Sequence, residues 1–126
     1  MNNEKFNTVV KYMMNKCGNV LMRKGKEYAG ENSDRLVSFK RAAGLTGETP
    51  TKVALSYMCK HVVSVYDLAE RGVTDAALWD EKLGDLINYC ILTRALIAEE
   101  NGENLEAATG KGKMPELEGA VANEKK

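Results

Sequence analysis

Three polar residues near the end of the chain have a spacing that suits a functional site. Glu81, Asp85 and Asn88 recur at steps of four and three, so a helix would place them on one face. Apolar residues surround them in the sequence, and a carboxylate among such residues is expensive to bury without a partner. The pattern predicts either a ligand or metal site, or a polar pair bonded to a neighbouring segment.

A second polar stripe of the same spacing precedes the first. Lys60, Ser64 and Asp67 also recur at steps of four and three. If the two stripes face each other, Lys60 pairs with Asp85 or both contact a ligand; the alternative is a solvated surface. His61 is the only histidine. The chain has no evident serine or cysteine partner for it, so nucleophilic catalysis has no support.

Six basic residues lie within 19 positions of one another in the first half of the chain. They begin in the run RKGKEY at residues 23–28 and continue with Arg35, Lys40 and Arg41. Tyr28 lies among them, so the segment suits a phosphate clamp with an aromatic surface for a base. An ordinary charged surface is the alternative. The chain has no GxGxxG, P-loop or HExxH motif.

Four helices must position these residues. Apolar periodicity and cap residues predict helices over residues 6–23, a short stretch after Asp34, residues 50 to about 71, and about 76–100. The caps are Thr49, followed by Pro50, for the third helix, and Thr74 or Asp75 for the fourth. Residues 24–33 have no apolar period and are predicted as a loop, and Gly44 and Gly47 are expected to break the chain. The core face of the third helix is expected to comprise Ala54, Leu55, Met58, Val62, Val65 and Ala69.

The sequence therefore predicts an all-α protein, a compact bundle of about four helices over residues 1–102. Residues 103–126 are rich in Gly, Glu, Lys and Ala. They are expected to form a disordered polar tail, because they have little apolar surface to bury. The last helix is apolar on nearly every side between Leu86 and Leu92, which indicates burial on every side. Either this helix is the central one of the bundle or it also packs against another subunit, and we expect a homo-oligomer.

Composition narrows the classes of function. The 126 residues, 44% of them hydrophobic, fit one globular domain. No apolar run approaches the roughly 18 residues of a membrane span. The start of the chain is not a signal peptide, so we expect a cytoplasmic protein with no membrane partner. The 18 basic residues balance the 18 acidic ones, which argues against binding to duplex nucleic acid.

The three cysteines, Cys17, Cys59 and Cys90, fall in three different predicted helices and form no CxxC pair. This pattern argues against a disulfide framework and against a zinc site. We expect three reduced, buried thiols, which is the usual environment of free cysteine.

Several short motifs resemble one family in a consistent order. They are KGKEYA at residues 24–29, DRL at 34–36, FK at 39–40, KH at 60–61 and EKLGDLINY at 81–89. Together they resemble the phage and prophage family called nucleotide-modification-associated domain, type one, over residues 6–100. The resemblance implies a helical phage protein linked to nucleotides, in the cytoplasm of an infected or lysogenic bacterial host.

A second similarity, to MazG-like all-α nucleotide pyrophosphohydrolases, concerns carboxylates. Those enzymes bind magnesium through ExxE on one helix and ExxD on the next. Here Asp67 and Glu70 give DxxE, and Glu81 and Asp85 give ExxxD. Lys82 stands where the second motif has a glutamate, and a lysine offers no oxygen ligand to magnesium.

These observations lead to three hypotheses. The first is a non-enzymatic protein, without a cofactor, that binds a phosphorylated nucleotide, for example to sequester a host antiviral signalling nucleotide. Its expected ligand-binding residues are Lys26, Tyr28, Arg35, Lys40, Lys60, His61, Asp85 and Asn88. The second is a Mg²⁺-dependent nucleoside triphosphate pyrophosphohydrolase, with metal ligands Asp67, Glu70, Glu81 and Asp85. The third is an interaction protein that docks a host target through the last helix.

Overall fold

Helices make up nearly all of the structure. A computed structural model describes residues 1–29 and 34–106, with side chains at 1–25 and 34–106. These residues form four helices and no strand: α1 (Asn3–Ala29), α2 (Val37–Thr46), α3 (Pro50–Glu70) and α4 (Ala76–Glu100). The all-α prediction is confirmed. None of the helices described is long and apolar enough to span a bilayer. Of the predicted tail, residues 107–126 lie outside the described residues.

The two long C-terminal helices start where the cap residues predict. The Thr49 side chain accepts a hydrogen bond from the backbone N–H of Lys52 at 3.2 Å, and Pro50 occupies the first helical position of α3. Asp75 accepts from the backbone N–H of Ala77 at 3.0 Å and caps α4. Gly72, at a φ of +64°, ends the turn that follows α3.

Helix α1 is longer than predicted, because residues 24–29 continue the helix rather than form a loop. Most of them have good intrinsic helix propensity, and a single glycine lowers helix stability by only about 1 kcal/mol. Gly44 likewise lies inside α2, and the break falls at Gly47, whose φ is +74°. We predicted breaks at both Gly44 and Gly47, but the helix ends only at Gly47.

The helices pack side by side with α4 in the middle. Helix α3 runs antiparallel to α4, since the Thr51 hydroxyl donates to Glu100 at 2.7 Å near one end of the pair. At the other end Trp79 Nε1 donates to the carbonyl oxygen of Val73 at 2.7 Å, in the turn that joins the two helices. Helix α1 packs mainly on α4 and α2 mainly on α3.

Helix α1 runs parallel to α4. Near the start of α4, Asp80 accepts a hydrogen bond from the hydroxyl of Tyr12 on α1, at 2.8 Å. One turn further along both helices, the Sγ atom of Cys17 lies 3.9 Å from the carbonyl oxygen of Gly84. The buried Gly84 and Cys17 are thus a point of contact between α1 and α4.

The main core lies where α2 meets α3 and α4. The ring of Phe39 contacts Tyr89 edge-on at 6.3 Å and Tyr57 at 6.0 Å, between ring centroids. The buried members of this core are Leu36, Phe39, Ala43, Val53, Ala54 and Leu96.

The predicted core face of α3 is partly wrong. Leu55, Val62 and Ala69 are exposed, whereas Val53 and Leu68 are buried. Helix α3 carries apolar residues on two overlapping faces, and α2 and α4 pack on the face that includes Val53.

The expectation of three buried thiols is wrong. Only Cys17 is a buried thiol, while Cys59 and Cys90 are exposed. Helix α4 has the central position that was one of the two alternatives, and Leu83, Cys90 and Ile91 are exposed in this single chain.

Candidate ligand-binding cleft

The parallel helices α1 and α4 enclose a cavity of about 380 Å³. Helix α4 contributes Glu81, Asp85 and Asn88, which therefore share one wall as their spacing predicts. At its floor the helices touch through Cys17 and Gly84. Burial raises the pKa of the Cys17 thiol, which keeps that thiol protonated and a poor nucleophile.

A second cavity of about 260 Å³ lies between the segment 34–39 and the middle of α4. Its walls include the apolar side chains of Phe39, Tyr89 and Leu92. Lys24, Asp85 and Asn88 line both cavities, so the two adjoin. We call the joined cavities the cleft.

Four cations surround the cleft. They are Lys16, Arg23 and Lys24 from α1, and Arg35 from the segment before α2. Within the described part of the chain, the side chains of Arg23 and Lys24 have neither a hydrogen-bond nor an ion-pair partner. Both project from a helix into solvent beside the cleft, so they are available to an anion.

Arg35 is held against α1. Its Nη2 atom donates to the carbonyl oxygen of Leu21, at 3.4 Å. A Cβ atom at Gly25 would lie only 3.1 Å from Arg35 Nε, so the glycine leaves room for the guanidinium to cross the helix. Gly25 thus leaves the Arg35 side chain a little more room against α1.

Lys16 belongs to a small polar network at the other end of the cleft. Its ammonium group donates to the Tyr12 hydroxyl at 3.4 Å and lies 3.8 Å from Asp80. The hydrogen bond with Tyr12 raises the pKa of Lys16, so the ammonium form is favoured. The carboxylate of Asp80 is already paired in this network.

Asn88 lies where the two cavities meet. Its Oδ1 atom is buried, and no hydrogen-bond partner for it exists among the described residues. Buried polar atoms are nearly always hydrogen-bonded, so this one is available to a donor on a ligand.

Asp85, one turn away, lies 3.6 Å from Nδ1 of His61 on α3. The His61 ring in turn packs against Tyr89, with 4.8 Å between the centroids. Burial raises the pKa of the Tyr89 hydroxyl, so Tyr89 stays neutral beside the carboxylate. The two rings hold Asp85 from behind and leave its other side toward the cleft.

The residues predicted to bind a ligand divide into three groups. Arg35, Asp85 and Asn88 line the cleft, and His61 lies behind Asp85. Lys40 is instead paired with Asp34 and Glu99 and is not itself among the residues lining the cleft. Lys60 is exposed on α3 and is not among the residues lining the cleft. The side chains of Lys26 and Tyr28 lie outside the described residues.

The idea that the two polar stripes face each other needs correction. The stripe on α4 faces α1 and the segment before α2, not Lys60 and Ser64 of α3. From α3 the partner of Asp85 is His61 rather than Lys60. Ser64 donates to the Lys60 carbonyl within its own helix.

The carboxylates of the hydrolase hypothesis are divided between two places. Glu81 and Asp85 line the cleft, whereas Asp67 and Glu70 are exposed on α3. Asp67 accepts a hydrogen bond from Nε of Arg71 at 2.9 Å. Across residues 1–25 and 34–106, no three His, Cys, Asp or Glu side chains are gathered in a way that could hold a metal ion.

Sequence reasoning found the basic run that contains Arg23 and Lys24 but missed Tyr12 and Lys16 of the same helix. Tyr12, Lys16 and Arg23 recur at steps of four and seven, which places them along one side of a helix. That periodicity is a usable signal for a polar stripe. It does not reveal that the stripe lies beside Asp85 and Asn88, because this depends on α1 packing parallel to α4.

The chain matches no protein-family model, no curated protein and no solved structure.

Proposed function

We propose that the protein binds a phosphorylated nucleotide in the cleft and leaves it chemically unchanged. One observation carries the proposal. Among the described residues, cations without an ion-pair partner line a cleft that also has an apolar wall. The buried Asn88 Oδ1 atom, which has no hydrogen-bond partner among those residues, lies where the two cavities meet. A nucleotide has the complementary parts in the same order: a phosphate, a sugar with hydroxyls, and a flat base.

The phosphate end is assigned to Arg23, Lys24 and Arg35. Arg35 offers a planar fork of donors that matches two phosphate oxygens, and Lys24 adds a compact positive charge. Lys24 lines both cavities, so it reaches a phosphate in either of them. Two of the carboxylates lining the cleft are already paired, Asp80 with Lys16 and Asp34 with Lys40. Glu81 and Asp85 also line the cleft and offset part of this positive charge.

The base end is assigned to the cavity walled by Phe39, Tyr89 and Leu92. These side chains give an apolar surface for a flat ring, as ligand sites usually do. Asn88 and Asp85 supply acceptors at its edge, which suits a base with an exocyclic amino group. Ligand sites commonly have volumes of about 300–1,000 Å³, a range that suits the two adjoining cavities.

The proposal that the nucleotide stays intact rests on Lys82. Its position corresponds to a magnesium-binding glutamate in the MazG-like hydrolases that the chain resembles, and an ammonium group cannot replace that ligand. Together with the resemblance to a phage family linked to nucleotides, this favours sequestration of a host nucleotide used in antiviral signalling.

A thermal-shift screen against linear and cyclic nucleotides, each with and without magnesium, tests the proposal. A ligand that binds only the folded state adds about 2.7 kcal/mol at a hundredfold excess over Kd, so Tm rises by several degrees. We expect a shift without magnesium, with the nucleotide recovered intact by chromatography.

Two double variants with the same change in charge provide the control. Lys24→Ala with Arg35→Ala removes two cleft cations and is expected to abolish the shift. Arg41→Ala with Lys52→Ala removes two exposed cations that are not among the residues lining the cleft, and is expected to keep it.

Two results would overturn the proposal. If no nucleotide in the screen changes Tm, the cleft is not a nucleotide site, and the hypothesis of an interaction protein is favoured instead. If magnesium is required and pyrophosphate is released, the protein is a hydrolase.

A further inference from the structure

One side of the antiparallel pair α3–α4 is apolar and exposed to solvent. On α3 the residues Leu55, Cys59, Val62 and Tyr66 recur at steps of four, three and four, and all are exposed. On α4, Leu83, Ile87 and Cys90 recur at steps of four and three; Ile87 is half-buried and the other two are exposed. We call these seven residues the hairpin stripe.

The alternation of three and four is the spacing of a helix-packing seam. Apolar residues at this spacing form a row that keeps facing the same neighbour along the helix. In the described chain the neighbours lie elsewhere: Phe39 of α2 packs on Tyr57 and Tyr89, and α1 meets α4 at Gly84. None of the stripe residues is among those lining the cleft.

The exposed area is close to what a stable interface needs. Leu55, Val62, Tyr66 and Leu83 of the stripe, with Val63 and Ile91 at its margins, are each 38–68% exposed, which leaves on the order of 600 Å² of apolar surface. A standard protein–protein interface buries about 800 Å² per partner, including its polar rim. A patch of this size lies at the upper end of what a monomer exposes, and such patches are often functional.

We propose that the hairpin stripe is the interface of a homodimer, in which two α3–α4 hairpins close a four-helix bundle. Each hairpin is a two-helix layer with an apolar side, and two such layers bury each other's apolar sides. A two-fold axis brings the same stripe from both copies together, so one surface serves as both partners.

The charge at the edge of the stripe favours a second copy over a charged partner. Arg94 is the next residue on α4 at a step of four after Cys90. Its guanidinium donates two hydrogen bonds to Glu103 of the same chain, at 3.0 and 2.7 Å. The one cation that continues the stripe is therefore neutralised within the chain, and the surface that remains is apolar.

The two exposed cysteines fit the same arrangement. Free cysteine is one of the most frequently buried residue types, yet Cys59 and Cys90 are exposed in the single chain. Both belong to the hairpin stripe, so the dimer buries them. Cys17, which lies outside the stripe, is buried already.

Light scattering coupled to size-exclusion chromatography tests the proposal. We expect twice the 13.9 kDa of the chain for the wild type at micromolar concentration. Val62→Glu and Leu83→Glu, one on each helix, are each expected to give a monomer with unchanged helical circular dichroism. Leu45→Glu on α2 is the control: this side chain is 89% exposed outside the stripe, and the variant is expected to stay dimeric.

Maleimide labelling of the wild type gives a second readout that requires no variant. Cys59 and Cys90 are expected to react more slowly as the protein concentration rises, because the dimer covers them. A monomer at all concentrations would overturn the proposal, and so would an oligomer that survives both glutamate variants or leaves both thiols freely reactive. Since the hairpin stripe is separate from the cleft, a monomer that still binds nucleotide would overturn the homodimer proposal and leave the nucleotide-binding proposal standing.

Discussion

At the scale of single residues, Asn88 has the most informative environment in the cleft. Its buried Oδ1 atom has no partner among the described residues, and Thr93 Oγ1, a little more than one turn further along α4, is in the same state. The two residues differ in their surroundings, since Asn88 lines both cavities and Thr93 is not among the residues lining either. Variants at these two positions therefore distinguish a role in ligand binding from the effect of burying a polar atom.

Asn88→Leu is expected to leave Tm of the free protein unchanged or slightly raised, because removing a buried polar group that lacks a partner relieves its desolvation penalty. The same variant is expected to lose the nucleotide-induced shift in Tm. Thr93→Val, which keeps the side-chain shape, is expected to have the same effect on the free protein and to retain the shift. Equal nucleotide shifts in both variants would exclude Asn88 from the ligand site.

Residue types alone identified part of the cleft. Asp85 and Asn88 were predictable because a polar pair at helical spacing within an apolar run is a strong signal. Lys40 belongs to the same basic cluster as Arg35 but is paired with Asp34 and Glu99. Which cation faces the cleft and which is paired elsewhere depends on tertiary contacts, and the sequence does not contain them explicitly.

At the scale of elements, the ion pairs of Lys40 attach α2 to its surroundings. Lys40 of α2 forms ion pairs with Asp34, at the start of the segment 34–39, and with Glu99 on α4. The hydrogen bond from Lys40 holds the pKa of Asp34 below its usual value of 3.8, with a smaller contribution from the backbone N–H of Leu36. A lowered pKa means that this pairing stabilises the fold above pH 3.8 and that its contribution is lost as the pH falls through the folded-state pKa.

Asp34→Asn removes the charge and keeps an oxygen that can accept from the Leu36 backbone. We expect a small fall in Tm at pH 7, because an exposed ion pair contributes little. The difference from wild type is expected to shrink as the pH falls below 3.8 and to vanish once the pH has passed the lowered pKa of folded Asp34. Thr49→Ala, which removes the uncharged cap of α3, is the control, with a difference from wild type expected at neutral and at low pH. A difference for Asp34→Asn that persists at low pH would contradict the ion-pair explanation.

The sequence predicted where helices start better than it predicted which side of a helix is buried. Caps at Thr49 and Asp75 fixed the starts of α3 and α4, because local hydrogen bonds determine them. The end of α1 was placed too early, since Gly25 suggested a break where it in fact makes room for Arg35. The buried face of α3 was ambiguous because α3 has apolar residues on more than one side, and only the packing of α2 and α4 decides between them.

At the scale of the whole molecule, three long helices lie side by side with α4 in the middle, and α2 covers only part of that layer. Burial in a single chain is correspondingly limited, and apolar side chains of α1, α3 and α4 stay exposed. The sequence indicated this indirectly, since α4 is apolar on more sides than one chain can cover. It could not indicate where a second copy would bind.

If the chain is a dimer, its thermal stability depends on concentration. Association stabilises the folded protein by mass action, so Tm of the wild type is expected to rise across a hundredfold increase in protein concentration. Tm of Val62→Glu is expected to stay constant over the same range. Differential scanning calorimetry measures both, and a constant wild-type Tm would contradict the dimer.

Trp79 gives the molecule a built-in optical probe. It is the only tryptophan of the chain, it is half-buried, and its indole N–H is bonded to the Val73 carbonyl in the turn between α3 and α4. Intrinsic fluorescence excited at the indole band therefore comes from one known place, at the closed end of the hairpin. Its next neighbour in the chain, Asp80, lies in the wall of the cleft, so one unlabelled chromophore sits within a few bonds of that site.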